Sequence, residues 1–388
     1  MKKFKIKILN GISAAGLEKF GEDYEIGASM EASDAIVVRS APLHELQFPE
    51  TLHSIARAGA GVNNIPVERC TQEGIVVFNT PGANANAVKE LAITSLLISS
   101  RKIIEGINWV RSLNGDDGFA KQVESGKSQF VGPEIRNKKL GVIGLGAIGV
   151  MVANAAVNLE MEVYGYDPYI SVEHAWGLSR AIKKANDLNK LFKRCDYITI
   201  HIPLNGNTKS FLNKETFDQM KTGVRIINLS RGELVNDDDL IAALQSGQVS
   251  NYVTDFPNEK LVNVPGVIPV PHLGASTPES ENNCAIMAVM QTKDFLENGN
   301  IKNSVNFPDC NMGISTYKHR LTIAHKNIPK MLGQISAVLS EQGVNIANMI
   351  NKSRGDFAYT MVDLETEITE SNLQKINDIT GVLKVRVI

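Results

Sequence analysis

The chain has 388 residues, 43% hydrophobic and 21% charged, with 40 basic and 42 acidic side chains and a formal net charge of −2. That length exceeds one core at roughly 100 to 200 residues per domain, so two or three domains are expected. The balanced charge excludes a basic field for nucleic acid, and no apolar run approaches the ~20 residues that span a bilayer.

The opening MKKFKIKILNG is lysine-rich, but its apolar run breaks at Lys5, Lys7 and Asn10, too early for an export segment. FKIKIL reads instead as a first strand alternating toward a core. Further β-rich runs follow in order: AIVVRS (35–40), IVVF (75–78), KLGVIGLG (139–146), EVYGYD (162–167), YITIHIP (197–203), VRIINLS (224–230), YVTDF (252–256) and GVIPVPH (266–272). Helical patterns separate them, and several are apolar on both faces. That alternation implies an α/β class with doubly wound parallel sheets. The segment 301–317 is rich in Asn, Gly and Pro and reads as a linker. Beyond it the order strand, helix, strand, strand, helix, strand is that of a ferredoxin-like βαββαβ module. Cys70, Cys195, Cys284 and Cys310 have no metal-ligand or redox-pair spacing and read as reduced thiols of a cytoplasmic protein that holds no metal.

LGVIGLGAIG sets Gly144, Gly146 and Gly149 in GxGxxG spacing between a strand and a helix. Gly144 allows a tight turn, Gly146 close approach of a pyrophosphate, and Gly149 close helix–strand packing; free N–H groups at the helix start attract phosphate. Asp167 closes the next strand 18 residues beyond Gly149, where an acid accepts from ribose hydroxyls and repels a 2′-phosphate, so NAD is expected over NADP. About 135 residues precede this motif and must form another domain.

The motifs NTPGANANAVKEL (79–91), GLGAIG with Asp167, HIPLNGNTKSFLN (201–213), INLSRGELV (227–235) and PHLGAST (271–277) stand in the order and spacing of the D-2-hydroxyacid dehydrogenases, which the chain resembles over about its first 305 residues. The resemblance implies a discontinuous substrate domain (1–90 and 275–305), an NAD-binding Rossmann domain (91–274), and an active site in the cleft between them. It places Arg231, Glu259 and His272 at the catalytic positions. Cofactor contacts are expected from Gly144, Gly146, Ala147, Ile148, Gly149, Asp167, His201, Pro203, Leu229, Ser230, Arg231, His272 and Gly274. The chemistry suits these types. Oxidising a 2-hydroxy acid needs a base near neutrality, histidine's range; a carboxylate steadies the imidazolium; an arginine fork grips the substrate carboxylate and polarises the C2 oxygen. TDFPNE is one residue shorter than the family's usual segment. Counting forward from Arg231 puts Asp255 at the nicotinamide amide, and counting back from Glu259 puts Thr254 there; an acid can accept the carboxamide N–H, which favours Asp255.

Within the family the resemblance is strongest to phosphoglycerate dehydrogenases, which implies 3-phosphoglycerate as substrate. Arg39 and Ser40 of VVRSAP are then expected at the phosphate, Gly61 in the cradling turn of GAGVNN, and Asn63 at the substrate carboxylate, with Arg231 and His272 at the reacting carbon; Arg57 lies beside the same turn. Residues 318–388 resemble an ACT domain, an amino-acid-sensing module. There His325, Asn327 and Asn345 match the ligand residues of serine-sensitive relatives, implying L-serine as effector, while Lys330 replaces the turn's usual glycine. The resemblance also implies a homo-oligomer, dimer or tetramer. A glyoxylate or hydroxypyruvate reductase, and an NAD-sensing corepressor or scaffold, are the alternatives.

Overall fold

The short apolar runs become strands whose side chains are covered on both faces. The computed structural model describes residues 3–113, 115, 118–341 and 343–388. The chain divides into two compact units, Met1–Asn84 with Pro278–Ile388, and Ala85–Thr277. In the first, β1 (Phe4–Leu9), β2 (Tyr24–Ile26), β3 (Ala35–Val38), β4 (Ser54–Arg57) and β5 (Val76–Phe78) form a parallel sheet in the order β2-β1-β3-β4-β5. Sequence periodicity finds β1, β3 and β5 but not β2 or β4, where Glu25, Ser54 and Arg57 interrupt the apolar run. The long helix Pro278–Asn298 returns to this sheet. It passes so close to the helix Ala14–Leu17 that a Cβ on Gly16 would stand 2.6 Å from the backbone of Ala285.

The second unit carries β6 (Lys139–Ile143), β7 (Glu162–Tyr166), β8 (Lys183–Lys184), β9 (Tyr197–Ile200), β10 (Val224–Asn228), β11 (Val249–Thr254) and β12 (Val267–Pro269). Their order is β12-β11-β10-β9-β6-β7-β8, all parallel. The order reverses beside β6, and the carboxyl ends of strands at such a switch point are where open α/β sheets bind ligands.

The C-terminal segment completes the first unit. β13 (His319–Lys326), β14 (Ile346–Arg354), β15 (Phe357–Leu364) and β16 (Val382–Val387) make an antiparallel sheet in the order β14-β15-β13-β16, with helices Met331–Glu341 and Glu370–Asn377 in the connections. This is the βαββαβ order expected. Leu321, Ile323, Ile335, Leu339, Val362 and Ile376 form the core between sheet and helices. Ala324, Tyr359 and Met361, on the same strands, instead join the cluster of Ile6, Phe78, Phe295 and Leu296. The expected linker is built into that cluster as well: Ile301, Phe307 and Cys310 are buried, and bridges join Phe78 to Ser304 and Ile301 to Cys310. Composition marked this segment as irregular, which it is, yet its few apolar residues face inward.

Polar groups fasten the same interface. Arg320 and Asp363 form a buried ion pair at 2.6 Å, and Arg320 also donates to the carbonyls of Asn298 and Gly313. Arg386 caps the end of the long helix at the Leu296 carbonyl, and Lys384 donates to the carbonyls of Glu50 and Leu52.

Candidate active site

The phosphate cradle forms where β6 turns into the helix Ala147–Asn158. Gly144 adopts φ +88, and a Cβ there would lie 2.5 Å from the His201 carbonyl oxygen. At Gly149 a Cβ would lie 1.9 Å from the Gly144 oxygen, so no side chain fits. Beside Gly146 nothing stands within 4 Å. The turn is therefore open enough to admit a pyrophosphate, and the N–H groups of Ala147, Ile148 and Gly149 have no partner within the helix. Asp167 accepts from the N–H groups of Leu145 and Tyr169, each at 2.8 Å, and keeps lone pairs for a ribose. These residues fit a dinucleotide.

His201 follows β9 directly, with Nε2 3.0 Å from the Thr199 hydroxyl, and burial pushes its imidazole down to about 4, so the ring is neutral at pH 7. The Pro203 carbonyl accepts from the Thr208 hydroxyl. Leu229 is buried, and the Ser230 hydroxyl donates to the Ile200 carbonyl at 2.8 Å, tying β10 to β9 just before Arg231.

Arg231 is exposed, its Nη1 donating to the Ser230 carbonyl, and its guanidinium lies 5.4 Å from the centroid of the Phe256 ring. The His272 imidazole lies 4.6 Å from the same ring. Two of the three expected catalytic side chains thus share one aromatic neighbour. Glu259 is exposed on the turn after β11 and makes no ion pair among the described residues. Asp255 is 1% exposed, and its two oxygens accept from the N–H groups of Leu273 and Gly274. Burial raises its carboxyl above the ordinary range, against the lowering effect of those bonds. Thr254 is buried, its hydroxyl accepting from the Phe256 N–H.

Phe256 and Asn228 escaped the sequence reasoning. Asn228 is fully buried at the end of β10; its Oδ1 accepts from the Ser230 N–H, and its Nδ2 donates to the Arg231 carbonyl at 2.7 Å and to the Tyr252 hydroxyl. It fixes the backbone on both sides of Ser230. The available signal was an amide at a strand end, three residues before the arginine.

In the other unit, Arg39 and Arg57 leave the same edge of the sheet, since Val38 pairs with Arg57 across β3 and β4. Arg57 Nε donates to the Arg39 carbonyl at 3.0 Å, and Arg39 pairs with Glu281 at 2.6 Å, both half-exposed. The Ser40 N–H donates to Asn10 Oδ1, Gly61 is half-buried, and Asn63 is exposed with its carbonyl 3.0 Å from His44 Nε2.

In the C-terminal module His325 is buried, Nδ1 against the Lys326 carbonyl and Nε2 against the Thr360 hydroxyl, each at 2.8 Å. Burial lowers the proton affinity of its ring. Asn327 is exposed and donates to the Gly355 carbonyl; Asn345 donates to Glu365. Lys330 takes φ +69, the conformation for which glycine is suited. Register separates the three expected ligands. His325 pairs with Ala358 near the start of β15, whereas the Asn345 carbonyl accepts from Glu365 just past its end.

Residues 93–274 match the family described as D-isomer specific 2-hydroxyacid dehydrogenase, NAD binding domain. A D-3-phosphoglycerate dehydrogenase of Methanocaldococcus jannaschii is 33% identical over 372 residues, spanning 92% of this chain and 67% of that protein. The chain belongs to the D-2-hydroxyacid dehydrogenase family. A second relative of this dehydrogenase family, the D-3-phosphoglycerate dehydrogenase of Haemophilus influenzae, is 30% identical over 346 residues, 84% of this chain and 79% of that one. The crystal structure of NAD+-bound 3-phosphoglycerate dehydrogenase from Entamoeba histolytica superposes with a TM-score of 0.61 at 27% identity, over 78% of this chain and 99% of that one. This chain spans only about half the length, 52 to 54%, of several other D-3-phosphoglycerate dehydrogenases that it matches. As a D-2-hydroxyacid dehydrogenase it is an NAD-dependent oxidoreductase, in keeping with the open glycine cradle and Asp167.

Proposed function

We propose that this chain oxidises 3-phospho-D-glycerate to 3-phosphohydroxypyruvate, the first step of L-serine synthesis from 3-phosphoglycerate, in the cytoplasm. The observation that carries this substrate is the pair of guanidinium groups, Arg39 and Arg57, at one sheet edge. Two planar forks supply the charge and donors a phosphate dianion needs, more than the single carboxylate of lactate or glyoxylate calls for. The names of the relatives support the same substrate. NAD, when bound, accepts the C2 hydride. Arg231 grips the carboxylate and polarises the C2 oxygen, and His272 takes the hydroxyl proton on a ring nitrogen. Glu259 is assigned to stabilising the imidazolium, and Asn63 to the substrate carboxylate.

The βαββαβ module is proposed as an ACT domain at which L-serine inhibits. His325 and Asn327 lie at one end of β15 and Asn345 at the other, eight residues of strand apart, or roughly 25 Å at about 3.3 Å per residue. A single serine touching all three therefore takes Asn345 from a second copy, and the effector site makes the chain a homo-oligomer, a dimer or tetramer. Mixing the protein with NAD and 3-phosphoglycerate at alkaline pH should raise absorbance at 340 nm, and L-serine should suppress the rise. No rise refutes the activity; NADH consumption with glyoxylate alone would make the chain a reductase. Unchanged inhibition in His325→Ala would remove the effector site and leave the activity standing.

A further inference from the structure

We propose that Asp255 and Phe256 together position His272, Asp255 by anchoring the backbone that follows it and Phe256 by supporting its ring; this rests on the role of His272 as base proposed above. His272 stands at φ +52, in the left-handed region. A non-glycine residue is strained there and stays only where its surroundings fix it. The next two residues supply the fixing. The Leu273 N–H donates to Asp255 Oδ1 at 2.6 Å and the Gly274 N–H to Oδ2 at 2.9 Å, a two-pronged grip on consecutive amides by a carboxylate that is 1% exposed. Gly274 permits the approach, because a Cβ there would stand 2.8 Å from Oδ2. Asp255 is itself held, its N–H donating to the Asn228 carbonyl at 3.2 Å on β10. The grip thus runs from the sheet, through one carboxylate, to the loop of the base.

The ring is held separately. Phe256 meets the imidazole at 4.6 Å with the planes 50° apart, and the Arg231 guanidinium lies 5.4 Å from its centroid. One aromatic plate therefore sets the position of the group that takes the proton and of the group that grips the carboxylate. In TDFPNE the anchoring acid and the plate are consecutive, so one dipeptide step controls both backbone and ring. The Asp255 oxygens are engaged by the protein's own amides, a use with a different signature from direct contact with a nicotinamide amide.

The test uses full-length protein without substrate and follows the ring proton signal of His272 by NMR, assigned by its loss in His272→Gln. The Phe256 ring current displaces that signal. In Asp255→Asn, with Phe256 intact, the signal should move toward the position of an open-chain histidine, as it should in Phe256→Leu. A signal that stays at the wild-type position in Asp255→Asn overturns the proposal. Should that variant fail to fold, Gly274→Ala weakens the same grip from the other side and should move the signal likewise; an unmoved signal there also overturns it. In turnover with NAD and 3-phosphoglycerate, both Asp255→Asn and Phe256→Leu should lower kcat about 100-fold, the scale of a small misplacement of a reacting group, while KM for NAD changes less than threefold and Phe256→Tyr recovers activity. A defect confined to KM for NAD would make Asp255 a nicotinamide contact and sink the positioning role. If the wild type oxidises no 3-phosphoglycerate, the activity proposal fails, and the NMR signal still decides the positioning.

Discussion

His53 lies beneath the C-terminal module, and its protonation should decide how firmly that module stays in place in mild acid. Burial first, then the charges of Arg386 and Lys384 on β16, push its imidazole down to about 2. Its Nδ1 is buried without a hydrogen-bond partner. The native ring is neutral, whereas the unfolded ring titrates near its ordinary 6.5. Because the native value is depressed, the stability linked to His53 is present above about 6.5 and is lost as pH falls below it, at up to about 1.4 kcal/mol per pH unit. Between pH 7 and pH 5 the loss reaches about 2 kcal/mol, and about 1–2 once the ring's partial exposure is allowed for. His53→Leu removes this dependence, so its stability should change less over the same interval by that amount. Hydrogen exchange of the β13 and β16 amides is the suitable assay, because a chain of two units need not unfold in one step. Parallel losses in wild type and variant between pH 7 and pH 5 would refute the reasoning.

Other perturbations follow from single contacts. Lys330→Gly removes a side chain from φ +69 and should stabilise the module by about 0.5–1 kcal/mol, read by denaturant midpoint. Asp363→Ala strands the buried Arg320 guanidinium and should cost about 3–5 kcal/mol, seen as faster proteolysis of the C-terminal segment. Gly149→Ala drives a methyl into the Gly144 carbonyl and should weaken NAD binding at least about tenfold, equivalent to ~1.4 kcal/mol by fluorescence titration. Asn228→Ala frees the backbone around Arg231 and should lower kcat/KM for the hydroxy acid more than NAD affinity, in steady-state kinetics.

The parts legible in the sequence are those whose physics is local. GLGAIG must turn, admit a phosphate and pack a helix, and each demand falls on a glycine a few residues away. Lys330 was legible too, as a departure at a position that the backbone puts at positive φ. What stayed hidden depends on contacts between distant segments. Asp255 finds its partners 18 and 19 residues on, and nothing in TDFPNE announces that its acid faces two amides of the histidine loop. Lys384 and Arg386 alternate with apolar residues in LKVRVI and look like the solvent side of an edge strand, yet they cap carbonyls of the long helix and of the segment before β4. Binary patterning assigns such residues outward; it has no means of seeing that another layer of the protein waits on that side.

That second layer changes what kind of part the tail is. Its strands contribute Ala324, Tyr359 and Met361 to the same cluster as Ile6, Phe78 and Phe295. Cutting the chain at residue 317 would strip one wall from the N-terminal core and present those apolar side chains to water. The module is no detachable bead: removing it would demand polar side chains on the surface beneath it.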